Sequence, residues 1–296
     1  MSLSIGRLDL FSDWAGIVKS ELEDEGYVVD GLPEQDVSIL YFGLQKKLIK
    51  PKPRRILRSN GFSCPEELKP GLASLEEKII NGENLRPHLS KKLKNLNDND
   101  GLLFDWGIFH LHLGTVIGSD GFIDRTGPLL YTRFDEANAY FINVIDHGSW
   151  TTQELVKTIY RNWPESIKPY ILTGVTSISR NFTDKDVKDL RGSQVNTILD
   201  LDNGVFTLGP GGGMTASGSS AEAILTHLQT RKWMKRLEKP MKEDITKFLL
   251  SLFTDVSFIR NEVLHFVLKK DNETFYIDEI NNGFRLALKN KMAASV

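Results

Sequence analysis

Apolar positions fall on one helical face twice within the first fifty residues. Trp14, Ile17, Val18 and Leu22 recur at helical spacing behind Ser12 and Asp13, either of which can cap, so a helix is predicted over residues 12–25. Val37, Leu40, Tyr41 and Leu44 predict a second helix over 34–47. Lys50-Pro51-Lys52-Pro53 then stops it, because prolines so close favour extended chain, and a boundary is placed there. Residues 54–59 read as a short strand. Ser63 and Pro65 open a helical turn that Pro70-Gly71 interrupts. A helix resumes at Leu72, with Leu75, Ile79 and Ile80 apolar, and ends at Asn81-Gly82; another is expected over 86–96, followed by a polar loop over 95–101. Three strands are predicted next, over 107–116, 129–134 and 139–145, the last two joined by a hairpin loop at 135–138. Ser149 to Thr152 opens a helix carrying Leu155, Val156, Ile159 and Tyr160 on one face, and Pro164 closes it.

The pattern changes after that point. Residues 195–201 and 205–208 flank Asp202-Asn203-Gly204, a strong hairpin signal. A glycine-rich segment, Gly209 to Gly218, leads into a helix from Ser219 to Leu237. Pro240 is expected to separate it from a helix over 243–253, and residues 262–268 and 274–280 read as a further hairpin. The expected fold class is therefore α+β: a small antiparallel sheet with packed helices, plus a second α+β domain. The expected domains are a helical extension at 1–50, an α+β domain at 51–165 and a C-terminal α+β domain at 166–296, the last break resting on Pro164 and Pro169.

Composition narrows the setting. No apolar run approaches the ~18–20 residues that span a bilayer, so no membrane association is expected. The segment Met1 to Arg7 turns polar at once and lacks the apolar core of a secretory signal. Cys64 is the single cysteine, which rules out an internal disulfide and a zinc site built from several thiolates; a cytoplasmic location is the expectation. The net charge of −2 does not announce a nucleic-acid binder, but its distribution is uneven. Lys46, Lys47, Lys50, Lys52, Arg54, Arg55 and Arg58 follow one another without an acid, and Arg231, Lys232, Lys235, Arg236, Lys239 and Lys242 form a second cluster. Either can meet phosphate, and either can be a solvated surface.

The densest candidate chemistry lies between Asp105 and His147. On a strand, His110 and His112 share a face about 6–7 Å apart, with Phe109, Leu111 and Leu113 directed into a core. Imidazole titrates near neutrality and suits proton transfer. His147 ends the third strand, within reach of a neighbouring strand if the register allows. Arg133 alternates with Tyr131 on one face of the second strand, and both carry groups useful for phosphate; Arg125, on a loop, is a weaker candidate. Gly209 to Gly218 lacks the lysine of a P-loop and the Rossmann spacing, so it reads as a turn feeding a serine-capped helix.

Between Arg54 and Trp163 the predicted order is strand, broken helix, helix, three strands, helix. The segment Gly127 to Glu136, followed by Tyr140 to His147, is similar to the pattern of the RelE/HigB-type toxin ribonucleases: an apolar strand with an arginine, an acidic turn, then a strand ending near a Gly-His pair. The resemblance covers about a third of the chain. His110 and His112 stand where basic residues are expected, and the order Asp146-His147-Gly148 departs from Gly-His. It implies a RelE-like sheet and a metal-free, cofactor-free endoribonuclease. RNA is then the substrate, with the ribosome and a cognate antitoxin protein as further partners. Arg133 then stabilises the phosphate and His147 acts as base or acid. His110, His112 and Tyr131 complete the candidate set, with Lys50, Lys52, Arg54, Arg55 and Arg58 as the RNA-binding run. Two other readings stand beside this one. His110, His112 and His147 with Asp105 or Asp146 suit Zn²⁺ or Mn²⁺ in a metal-dependent hydrolase or nuclease. A non-catalytic binding protein is the third.

Overall fold

Asp9, rather than Ser12, starts the first helix. Its side chain accepts a hydrogen bond from the Ser12 amide at 3.1 Å, and Leu10, fully buried, extends the apolar face of α1 (Leu10–Asp24) by half a turn. The computed structural model describes residues 8–252, 265–270, 273–280 and 283–288, without the side chains of 240–241, 244–252 and the last three segments. Two units are distinguished. They group the chain differently from the expected boundaries at 50 and 165.

The first unit joins residues 1–42 to 225–296. It contains α1, most of α2 (Glu34–Lys47), most of α7 (Ala221–Leu252) and a three-stranded antiparallel meander, β7 (His265–Lys270), β8 (Glu273–Ile280) and β9 (Gly283–Leu288). The helices before residue 50, expected as an extension at 1–50, thus divide at Phe42, with the end of α2 in the second unit. Trp14 stacks on Phe42 at 5.4 Å and meets Tyr41 edge-on, so the aromatic residues of the first two helices close this core. The helix expected to stop at Pro240 runs on to Leu252. A proline removes one helical hydrogen bond, and a helix can continue through that loss. Residues 262–264 of the expected hairpin lie outside the described residues; the rest of it is present, followed by β9, which the apolar pattern did not single out.

The second unit, residues 43–224, holds a four-stranded sheet in the order β1-β4-β3-β2. Its strands are β1 (Arg55–Arg58), β2 (Phe109–Leu111), β3 (Pro128–Phe134) and β4 (Asn138–Asp146). The α+β class with packed helices stands, but the sheet is mixed, because β1 runs parallel to β4 while the other pairs are antiparallel. The connection from β1 back to the sheet contains α3 (Lys69–Asn81), which buries Leu72, Leu75 and Ile79. The helix expected over 86–96 is two short 3-10 turns, Arg86–His88 and Lys91–Lys94, and the expected strand 107–116 is reduced to β2. The six-residue helix α4 (Gly101–Trp106) precedes β2, capped by the Asp100 carboxylate on the Leu103 amide.

Residues on either side of 165 fall in this one unit. Leu155, Val156 and Ile159 of α5 (Glu154–Asn162) share one core with Ile167, with Val187 of α6 (Asp184–Gly192), and with Leu199 and Leu201. The same core takes in Leu129, Tyr131 and Ile142 from the sheet. A prolyl break ends a helix without ending a core. The predicted hairpin forms as β5 (Leu199–Asp200) and β6 (Phe206–Thr207), with Asp202 and Asn203 at positive φ. Among the described residues no helix is long and apolar enough to cross a membrane.

Candidate active site

A cleft of about 460 Å³ opens beside β2, at one edge of the sheet. Its apolar side includes Phe109, Leu103 and Met214, and its polar side includes His110, His147 and Asp100. Trp150 lies between the histidines: its ring centroid is 5.4 Å from that of His110 and 4.4 Å from that of His147, both edge-on. Lys47, Lys92, Lys188 and Arg191 also line it.

Each of these side chains is placed by a different part of the sequence. His110 pairs in register with Tyr131 of β3 on the edge strand. Its side chain is 12% exposed, and its Nδ1 has no hydrogen-bond partner among the described residues; the nearest acid, Asp100 Oδ2, is 3.8 Å away. Burial pushes the His110 pKa down, and His147, Lys92 and Arg125 push the same way against Asp100. His147 is exposed at the end of β4, where its amide donates to the Gly127 carbonyl. Gly148 follows with φ +111°, a conformation that L side chains rarely adopt, and this turn carries the chain to Trp150. Ser149 Oγ and Tyr131 Oη both donate to the Asp146 carbonyl, fixing the turn from within.

Arg191 of α6 secures the same turn. Its Nη1 donates to the Trp150 carbonyl, while Nε and Nη2 hold Asp105 Oδ2, and its guanidinium lies 4.2 Å from the Trp106 ring centre. Both partners of this ion pair are almost fully buried. Lys47, also buried, donates to the carbonyls of Asn95, Leu96 and Asp98 and so fixes the loop that ends in Asp100.

The other expected site residues lie elsewhere. His112 shares the strand alternation of His110 but is only 6% exposed and does not line the cleft. Its Nδ1 accepts from the Thr126 amide, its backbone exchanges hydrogen bonds with His88, and burial drives its pKa down to about 3. It is a neutral core imidazole. Tyr131 is fully buried in the sheet core, and burial pushes its hydroxyl up to about 12. Arg133 lies over Tyr170 and donates to the carbonyls of Pro210 and Ser166. The face that carries Tyr131 and Arg133 is thus covered by later chain, which no local pattern revealed.

The basic run is at the far edge of the sheet, on and before β1. Lys52 pairs with Glu136, Arg58 with Glu76, and Arg54 with three backbone carbonyls and the Phe134 ring; Lys50, Lys52, Arg55 and Arg58 are exposed. The glycine-rich segment is a strap in which Gly209, Pro210, Gly211, Gly213 and Met214 are buried. The amides of Gly211 and Gly213 donate to the Asp105 and Phe104 carbonyls, capping the end of α4. A Cβ on Gly211 would lie 2.4 Å from the Leu103 carbonyl oxygen.

Sequence reasoning missed Asp100, Trp150, Lys188 and Arg191. Two signals were present: Asp100, separated by Gly101 from the apolar run Leu102–Phe104, and Thr183 with Asp186, which form a capping box at the start of α6. Among the described residues no group of three or more His, Cys, Asp or Glu is placed to hold a metal ion. Comparison of the chain with protein-family models, with curated proteins and with solved structures returns no match.

Proposed function

We propose that the chain is a toxin-like endoribonuclease that cleaves RNA by metal-free acid/base catalysis, with His110 and His147 as the proton-transfer pair. The observation that carries this reading is the placement of two imidazoles, one mostly buried and one exposed, against a single indole in a cleft that also presents cations.

The ribose 2′-hydroxyl attacks the adjacent phosphorus, forming a P–O2′ bond and breaking the P–O5′ bond. His110, kept neutral by burial, accepts the 2′ proton; His147 gives a proton to the departing 5′ oxygen. The products are a 2′,3′-cyclic phosphate and a 5′-hydroxyl. Lys188 and Lys92, exposed on the cleft wall, supply positive charge for the crowded phosphate, the role first expected of Arg133. RNA is the proposed substrate, with the ribosome and an antitoxin protein as proposed partners.

The metal-dependent reading has weaker support. Asp105 Oδ2 is held by Arg191 and His112 Nδ1 by the Thr126 amide, and neither residue lines the cleft with His110 and His147.

The test is incubation of the purified chain with mRNA, with and without ribosomes and EDTA. Cleavage that persists in EDTA, leaves a cyclic or 3′ phosphate, and disappears in His110→Ala and His147→Ala supports the proposal. Absence of cleavage in every condition, or cleavage lost in EDTA and restored by Zn²⁺ or Mn²⁺, overturns it.

A further inference from the structure

We infer that Asp100 is the positioning residue for His110, accepting its Nδ1 proton so that the lone pair is left on Nε2. The Asp100 carboxylate is itself fixed. Oδ1 accepts from the Leu103 amide at 3.0 Å as the N-cap of α4, and Lys47 anchors the preceding loop through three carbonyls. Those two anchors aim Oδ2 at His110 Nδ1 across 3.8 Å. Nδ1 is buried without another partner among the described residues, and a buried ring nitrogen left unpaired is costly. The gap exceeds a hydrogen bond by less than about 1 Å, and catalytic contacts of this kind commonly tighten in the substrate complex.

The charged groups around His110 make Asp100 distinctive. His147 from the end of β4, Lys92 from the 3-10 turn before α4 and Arg125 from the loop before β3 all oppose a proton on His110, and His112 is a further neighbour. Asp100 is the acid in this set and favours the protonated ring. It therefore does two things: it selects the tautomer of the neutral ring, and it moderates the loss of basicity that burial imposes.

The role in cleavage rests on the assignment of His110 as the proton acceptor; the position of the proton does not. The experiment is long-range ¹H–¹⁵N NMR of the histidine rings in the full chain across pH, with His110 assigned by comparison with His110→Ala. Asp100→Ser and Asp100→Asn both remove the carboxylate and keep a capping side chain, so α4 and the melting temperature are retained. In the parent chain neutral His110 should carry its proton on Nδ1. In Asp100→Ser that preference should be lost. In both variants the His110 midpoint should fall by about one unit or more, as expected when an opposite charge within ~4–6 Å is removed. An unchanged tautomer and an unchanged midpoint would overturn the inference. Where RNA cleavage is measurable, the acid limb of kcat/KM should move down with the midpoint. A limb that stays put while the midpoint moves leaves the Asp100 role intact and sinks the assignment of His110 as general base.

Discussion

Arg191 and Asp105 form a buried ion pair across 86 residues of sequence, with Oδ2 accepting from Nε at 3.2 Å and from Nη2 at 2.9 Å. The pair joins α6 to the end of α4, and the same guanidinium holds the Trp150 carbonyl. Removing one partner leaves the other charge buried. Arg191→Met should therefore lower stability by about 3–5 kcal/mol, measured by urea unfolding, and the double variant with Asp105→Asn should recover much of the loss. An Arg191→Met protein as stable as the parent would show that the pair is not holding α6 in place.

The three candidate histidines should separate by assay. His110→Ala and His147→Ala are expected to lower RNA cleavage by ~10² or more, since each removes a proton-transfer group, while the protein stays folded. His112→Ala should act through stability instead, by about 1–3 kcal/mol, because it leaves the part-buried Thr126 amide without its acceptor. If His112→Ala kept full stability and lost cleavage selectively, the separation of His110 from His112 would be wrong.

Acid should weaken the fold through the buried imidazoles. The His112 pKa lies near 3 in the folded chain against 6.5 for the free group, so between those values the unfolded chain binds a proton that the folded chain refuses. Stability then falls as pH drops from about 6.5 toward 3, and His88, His110 and His227, all shifted downward by burial, add to the slope. His112→Asn keeps an acceptor without the titration. Its melting temperature should depend less on pH across that window, and equal slopes in parent and variant would contradict the assignment.

The glycine strap predicts two opposite outcomes. Gly211→Ala drives a Cβ against the backbone of Gly107 and Leu103 and should cost about 1–3 kcal/mol. Gly192, at the end of α6, has open space around it and an ordinary φ, so Gly192→Ala should be neutral or stabilise by about 0.4–1 kcal/mol. Thermal unfolding of the two variants checks both.

RNA affinity should follow the cleft rather than the earlier basic run. Lys188→Glu or Lys92→Glu should weaken binding and reduce the salt slope by about one for each phosphate that is no longer neutralised. Lys50→Glu and Arg55→Glu, at the opposite edge of the sheet, should change it little. The reverse order in a filter-binding titration would relocate the RNA surface to β1.

Local periodicity determined much of the fold by itself. The apolar faces of α1, α2, α3 and α5 and the Asp202-Asn203-Gly204 hairpin are written in neighbouring residues, because helical and turn geometry depend on spacings of a few positions. Alternation also placed Leu111 and Leu113 in the core, but Phe109, expected beside them, lines the cleft together with His110. Tertiary structure decided which polar groups remain available. His110 and His112 look equivalent along the strand, yet β2 ends at Leu111, and His112 is turned into contacts with His88 and Thr126. Arg133 looks free until Ser166 and Pro210 cover it, 33 and 77 residues later. Asp100 and Arg191 gain their meaning from His110, Trp150 and Asp105, partners that only folding brings near. A side chain's chemistry depends on what buries it and what it bonds, and at this cleft those partners come from distant stretches of chain that no local pattern encodes.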